Sequence, residues 1–151
     1  DGYKVLIMNV LGTMFMTPLN SPFEVIDTAL EREKGNYDFA ILDIHAEATS
    51  EKLAIARYFD GRIAIMFGTH THVPTRDLQA LPKGTGYITD LGMTGAGQSV
   101  LGVKPQRSID MFLGEPYVRY EYSDVDPVMQ GALFTLDQNG RCIGTQYIDF
   151  K

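Results

Sequence analysis

The three histidines of this chain are the residues whose type and placement could do chemistry. His45 directly follows the apolar run FAILDI, and His70 and His72 follow the run IAIMF within the string GTHTH. If the two runs are neighbouring parallel strands, their carboxyl ends meet at the edge of the sheet where ligands bind in open α/β folds. Imidazole is the commonest metal ligand. The spacing therefore indicates a metal site, although three unrelated polar strand ends would give the same pattern.

A metal centre with two ions would need carboxylates as well, because three neutral imidazoles do not balance its charge. Asp43, Glu47 and Asp90 lie close to the histidines in the predicted arrangement. Asp43 could instead point away from the site, and Glu47 could serve to orient a histidine rather than to bind metal. The residues alone leave these alternatives open.

Other reactive residue types give weaker signals. Ser50 and Cys142 have no histidine in a suitable local motif, which disfavours covalent catalysis by a nucleophile, and Ser50 is expected to cap a helix. The glycine-rich stretch 92–102 lacks both the strand–GxGxxG–helix context and the lysine of a phosphate-binding loop. It could be a flexible loop or could shape a substrate pocket.

The first two thirds of the chain alternate apolar runs with helix-like segments. The runs predict buried strands over residues 4–10, 39–44 and 63–67, the first of them buried on both faces. A helix is expected from Pro22 to Gly35, with Ser21 as its N-cap and Glu24 completing a capping box, and another over 51–58. This βαβαβ order predicts a largely parallel sheet covered by helices.

The last third has a different character. The pattern predicts a short strand over 87–89, a short helix over 105–113, and strands over 117–122, 131–136 and 142–150. Asp137-Gln138-Asn139-Gly140 is a turn signal that joins the last two strands as an antiparallel hairpin. The expected fold class is therefore α/β with mixed strands and a C-terminal antiparallel hairpin.

Composition excludes several classes of protein. The 151 residues include 13 basic and 19 acidic side chains, a formal net charge of −6, which argues against a nucleic-acid groove or binding to an anionic membrane. The most apolar stretch, residues 5–16, is too short to span a bilayer. The single cysteine, Cys142, excludes an intrachain disulfide and fits a reducing, cytoplasmic location.

Three strings in order, DIHAEATSEKLAIARYFDGR, GTHTHVPTRD and LPKGTGYITDLGMTG, resemble the C-terminal half of the YmdB-like metallophosphoesterases, members of the calcineurin-like superfamily. The resemblance implies a two-sheet sandwich flanked by helices, with residues 1–151 forming the C-terminal part of one domain. It also implies two metal ions, with Fe or Mn favoured and Zn possible. His45 and His70 would bind one ion and His72 the other.

The family's remaining ligands come from an early Asp, a Glu-Asn pair and an Asn-His pair, whose histidine is the general acid. These pairs are absent from the 151 residues, and the sequence begins at Asp1 rather than at Met. We therefore expect no general acid in this chain. We expect the chain to be part of a longer enzyme that hydrolyses small phosphodiesters such as cyclic nucleotides. Its active site would be completed by the N-terminal half or by self-association. A non-catalytic metal-binding or scaffolding module of the same fold is the alternative.

Overall fold

The computed structural model describes residues 2–17 and 20–150, which form two β-sheets and the helices that accompany them. The elements in chain order are β1 (Val5–Leu11), α1 (Pro22–Arg32), β2 (Phe39–His45), α2 (Thr49–Phe59), β3 (Ile65–Thr69), β4 (Gln79–Ala80), β5 (Gly86–Ile88), β6 (Gly95–Ala96), α3 (Pro105–Phe112), β7 (Pro127–Leu136) and β8 (Cys142–Phe150).

The larger sheet has the strand order β1-β2-β3-β5-β4 in the described chain. Strands β1, β2, β3 and β5 run parallel, and β4 is antiparallel to β5. The register pairs Leu11 with His45 and His45 with Thr69, so the carboxyl ends of three strands finish level. The predicted βαβαβ order is confirmed, and it brings the segments that follow β1, β2 and β3 to one edge.

The core lies between this sheet and helices α1 and α2. In β2 the side chains alternate between buried and half-buried positions, as expected for a strand with one fully covered face. Fully buried apolar side chains from the sheet and the helices form a continuous cluster, which includes Ile26, Leu42, Ile44, Ile55, Phe59, Met66 and Tyr87. This packing holds β2 and β3 against the helices, and it thereby positions the segments that follow the two strands.

Strand β1 differs from the prediction of burial on both faces. It lies at the edge of the sheet, and Ile7 has 75% of its surface exposed, with Val5 and Leu11 also exposed. The continuous apolar run was interpreted as a doubly covered strand, but within the described residues only one face is covered. The outer face of β1 is consequently an apolar surface.

The smaller sheet has the order β6-β7-β8 and contains the predicted C-terminal hairpin. Asp137 caps the turn, because its Oδ1 accepts hydrogen bonds from the backbone N–H groups of Asn139 and Arg141. Strand β7 begins at Pro127, four residues before the predicted start. The prediction of an α/β fold with a C-terminal antiparallel portion is confirmed. Among the helices described, none is both long and apolar enough to cross a membrane.

The strand predicted over 117–122 is wrong. In the described chain this segment only forms an isolated bridge between Tyr122 and Val103, and Tyr117 has a left-handed φ of 62°. The Glu121 carboxylate instead accepts hydrogen bonds from Lys104 and Arg107 at the start of α3. These contacts tie the segment to the helix rather than to a sheet.

The N-cap predicted at Ser21 is confirmed, whereas its capping box with Glu24 and the cap predicted at Ser50 are wrong. Ser21 is the N-cap of α1, but among the described residues its side chain makes no capping hydrogen bond, so the box with Glu24 does not form. The Ser21 carbonyl accepts the Val25 N–H instead. Helix α2 begins at Thr49 with Ala48 as N-cap, which places Ser50 inside the first turn.

Candidate active site

His45 and His70 meet at the carboxyl edge of the larger sheet. Nε2 of His45 and Nδ1 of His70 lie 3.2 Å apart, and the two rings are perpendicular with centroids 4.9 Å apart. On its other side, Nε2 of His70 lies 3.1 Å from a carboxylate oxygen of Glu47. Glu47 thus contacts a histidine, which is the orienting role that the sequence left open for it.

A chain of hydrogen bonds behind His45 fixes which of its nitrogens carries the hydrogen. The Asn9 amide donates to one oxygen of Asp43 at 2.7 Å, and the Thr69 hydroxyl donates to the other at 2.8 Å. Because Thr69 has given its only hydrogen to Asp43, its Oγ1 accepts the 2.9 Å bond from Nδ1 of His45. The lone pair of His45 therefore lies on Nε2, the atom that faces His70.

This network also settles where Asp43 points. Both of its oxygens are occupied, one by Asn9 and one by Thr69, and it acts on His45 only through the threonine hydroxyl. Metal-binding histidines are commonly oriented in this way by a carboxylate or hydroxyl on the remote nitrogen. Asp43 was a candidate ligand in the sequence, and the structure gives it a supporting position instead.

The loop that carries His70 and His72 has an unusual backbone. The φ angles of the two histidines are 101° and 64°, in the region that favours glycine, and such residues cost about 1–3 kcal/mol each unless their surroundings enforce them. Gly68 just before the loop has no room for a side chain, since a Cβ there would lie 1.8 Å from the Thr89 carbonyl oxygen. The loop is therefore held in a strained, closely packed conformation.

A buried ion pair beneath the loop supplies the restraint. Lys52 and Asp90 are 0% and 1% exposed, and Nζ lies 2.9 Å from the Asp90 carboxylate. Lys52 also donates to the Thr69 carbonyl at 2.7 Å, while Asp90 accepts the Thr71 N–H at 3.1 Å. The pair thus hydrogen-bonds to the backbone of the residues on both sides of His70.

The Asp90 carboxylate is kept ionised by these contacts. Burial raises its pKa, but hydrogen bonds from Lys52, from the Gly92 N–H and from Thr71 outweigh that effect and hold the pKa below its ordinary value. Asp90 was a third candidate metal ligand, and it is instead committed to Lys52 and to backbone N–H groups. No feature of the sequence marked Lys52, because a lysine on a helix is usually solvent-exposed.

Glu51 supports the neighbouring loop after β1. Its carboxylate accepts hydrogen bonds from the Thr13 N–H and hydroxyl at 2.7 and 2.6 Å and from the Met14 N–H at 3.3 Å. Burial raises the pKa of Glu51, but these hydrogen bonds together outweigh that effect, and the net pKa lies below the ordinary value. Sequence reasoning assigned Glu51 only to a helix, and no local pattern marked its contacts with the loop after β1.

His72 lines a cavity whose other walls come from the glycine-rich stretch and from β7. Its side chain is exposed, and it lines this cavity of about 440 Å³ together with Met93, Val128 and Gln130. Within residues 2–17 and 20–150, no group of three or more His, Cys, Asp or Glu side chains is arranged to hold a metal ion. The structure thus brings His45, His70 and Glu47 together and places His72 at the rim of the cavity.

The donor set fits part of a metal site. Nε2 of His45 carries the lone pair of its ring and faces Nδ1 of His70, and imidazole nitrogen with carboxylate oxygen suits Mn, Fe and Zn. The hydrogen bonds behind His45 are those expected of a ligand that is held ready. A complete centre would require further oxygen ligands beyond these residues.

The sequence of this chain is similar to a family of known proteins. A family model described as YmdB-like protein matches residues 1–148. The chain is 39% identical over 137 residues to a "2',3'-cyclic-nucleotide 2'-phosphodiesterase" of Bacillus subtilis strain 168, covering 91% of this chain and 52% of that protein.

Two solved structures share the fold. A hypothetical protein from Thermus thermophilus superposes with a TM-score of 0.90 at 38% identity, covering 99% of this chain and 58% of that one. A structure described as a novel phosphatase from Mycoplasma pneumoniae superposes with a TM-score of 0.85 at 40% identity, covering 95% of this chain and 52% of that one. The chain spans about half the length of the curated relative. Because the family model extends over nearly all of it, the chain belongs to the YmdB-like protein family.

Proposed function

We propose that this chain is part of a metal-dependent phosphodiesterase that hydrolyses small phosphodiesters such as cyclic nucleotides. The observation that carries the proposal is the contact between His45 and His70, with the network through Thr69 and Asp43 that leaves the lone pair of His45 on Nε2. The similarity to a relative named as a 2',3'-cyclic-nucleotide phosphodiesterase supports the substrate class.

In this proposal His45 and His70 hold one metal ion and His72 contributes to a second, with Fe or Mn favoured and Zn as the alternative. Bound divalent ions supply positive charge to the phosphoryl oxygens and lower the pKa of water. Thr69 and Asp43 hold the ring of His45 in one tautomer, and Glu47 holds that of His70. The general acid that protonates the leaving oxygen is proposed to lie outside this chain.

The remainder of the site would come from the N-terminal half of the same protein or from a second copy. The exposed apolar face of β1, with Ile7 at 75% exposure, supports such an association. The net charge of −6 supports a small phosphodiester rather than a nucleic-acid strand as the substrate. We also propose a cytoplasmic location, which the single cysteine, Cys142, supports.

The experiment that tests the proposal is turnover by the whole protein. After treatment with a chelator and reloading with Mn²⁺, Fe²⁺ or Zn²⁺, the protein is assayed on 2',3'-cyclic and 3',5'-cyclic nucleotides and on bis(p-nitrophenyl) phosphate. We expect activity that the chelator removes and a metal restores. Metal binding without hydrolysis of any of these esters would refute the enzyme and favour the non-catalytic module.

A further inference from the structure

The cavity beside His72 is not used by the histidine contacts described above. It has a volume of about 440 Å³, within the range of small-molecule sites, and lies between the glycine-rich stretch 92–102 and β7. Its walls combine the apolar side chains of Met93, Leu101 and Val128 with the polar groups of Gln130 and His72. Such a mixture suits a ligand with apolar faces and a polar edge.

The loop that forms one wall is tied in place. The Ser99 hydroxyl donates to the Ala96 carbonyl at 2.6 Å and accepts the Gly102 N–H at 2.9 Å, and the Gly97 N–H donates to the Asp126 carbonyl at 2.8 Å. Of the two roles that the sequence left open for this stretch, these bonds favour the shaping of a pocket. The cavity is therefore largely formed before any ligand arrives, which lowers the cost of binding.

Gln130 is one of the polar side chains that line the cavity. Gly92 has a φ of 80°, and a Cβ at that position would lie 2.9 Å from Oε1 of Gln130 and 2.8 Å from Cδ of Pro74. The lack of a side chain at Gly92 thus makes room for the amide. An amide carries both a donor and an acceptor, and a nucleobase edge presents the same two groups.

We propose that this cavity binds the nucleobase of a nucleotide whose phosphate lies at the histidines. Met93 and Val128 would contact the faces of the ring, and the polarizable thioether of Met93 suits an aromatic face. Gln130 would hydrogen-bond the ring edge. The inference rests on the proposed phosphodiesterase function, because His72, which lines the cavity, is also one of the proposed metal ligands.

Binding of nucleosides without a phosphate tests the cavity separately from catalysis. Adenosine, guanosine, cytidine and uridine are titrated into the whole protein and followed by NMR chemical shifts, with ribose as the reference ligand. We expect at least one nucleoside to bind at least ten-fold more tightly than ribose, with shifts at Met93, Val128 and Gln130. Nucleosides that bind no better than ribose would overturn the proposal.

Two variants locate the binding. Gln130→Met removes the amide at similar size and should weaken the preferred nucleoside about five-fold, the usual effect of one hydrogen bond. Val128→Phe fills the cavity and should weaken it by more than ten-fold. Gln146→Met, on exposed strand β8, is the matched control and should bind as the wild type does. Unchanged affinity in both cavity variants, with native circular dichroism, would also overturn the proposal.

The outcome is independent of that for the enzyme. If the whole protein binds nucleosides but hydrolyses no ester, the cavity stands and the phosphodiesterase fails. If bis(p-nitrophenyl) phosphate is hydrolysed but no nucleoside binds, the phosphodiesterase stands and the nucleobase site fails.

Discussion

Replacing Lys52 by Met probes the ion pair that restrains the histidine loop. The substitution keeps the length of the side chain but leaves the Asp90 carboxylate, 1% exposed, without its cation, and the Thr69 carbonyl loses its bond to Nζ. Removing one partner of a buried pair costs about 3–5 kcal/mol. Urea denaturation followed by circular dichroism would report it. With a slope of about 2 kcal/mol/M, the midpoint should fall by about 2 M.

A surface pair provides the matched control. Lys34 lies 3.5 Å from Glu31, and the two side chains are 76% and 69% exposed. Lys34→Met should cost less than about 1 kcal/mol, because water already solvates both charges. In the double variant Lys52→Met/Asp90→Asn the buried charge is gone while an acceptor for the Thr71 N–H remains, so part of the lost stability should return. Equal midpoints for Lys52→Met and Lys34→Met would refute the role assigned to the buried pair.

Three further predictions concern acid stability, the sheet edge and the histidine network. The pKa of Glu51 is below its ordinary value of 4.5. Its stabilising effect is therefore complete above about pH 4.5 and is lost as the pH falls through the pKa of the folded state. The urea midpoint of the wild type should fall on acidification, and that of Glu51→Gln should fall less. Ile7, exposed on β1, should promote self-association of the isolated chain, and sedimentation velocity should show a smaller species for Ile7→Lys; a wild-type monomer at all concentrations would contradict this. Thr69→Val breaks the link to His45 and should weaken Mn²⁺ binding, measured by calorimetry, about 10–100-fold. Thr145→Val, on exposed β8, is the control and should leave the affinity unchanged. Equal Mn²⁺ affinities of the two variants would contradict the network.

The parallel sheet could be predicted because its sequence signal is local. FAILDI and IAIMF are apolar runs of strand length separated by a helix, and the crossover rule then sets β2 and β3 side by side. This is enough to expect His45 and His70 at one edge, and the structure places them in contact. Their role as metal ligands stays a prediction.

The supporting contacts could not be predicted, because they depend on packing between residues far apart in the chain. Lys52 meets Asp90 only after α2 has docked on the sheet, and neither residue type reveals that it will be buried. The sequence indicated no role for Thr69 beyond its place in the GTHTH string, and only the fold brings its hydroxyl between Asp43 and His45.

Metal content and turnover of histidine variants test the central claim most directly. The whole protein and its His45→Asn, His70→Asn and His72→Asn variants would be loaded with Mn²⁺, analysed by inductively coupled plasma mass spectrometry, and assayed on a 2',3'-cyclic nucleotide. We predict that each variant loses bound metal and at least 100-fold of the wild-type turnover. Variants that retain the wild-type metal content and hydrolyse the substrate at the wild-type rate would contradict the account.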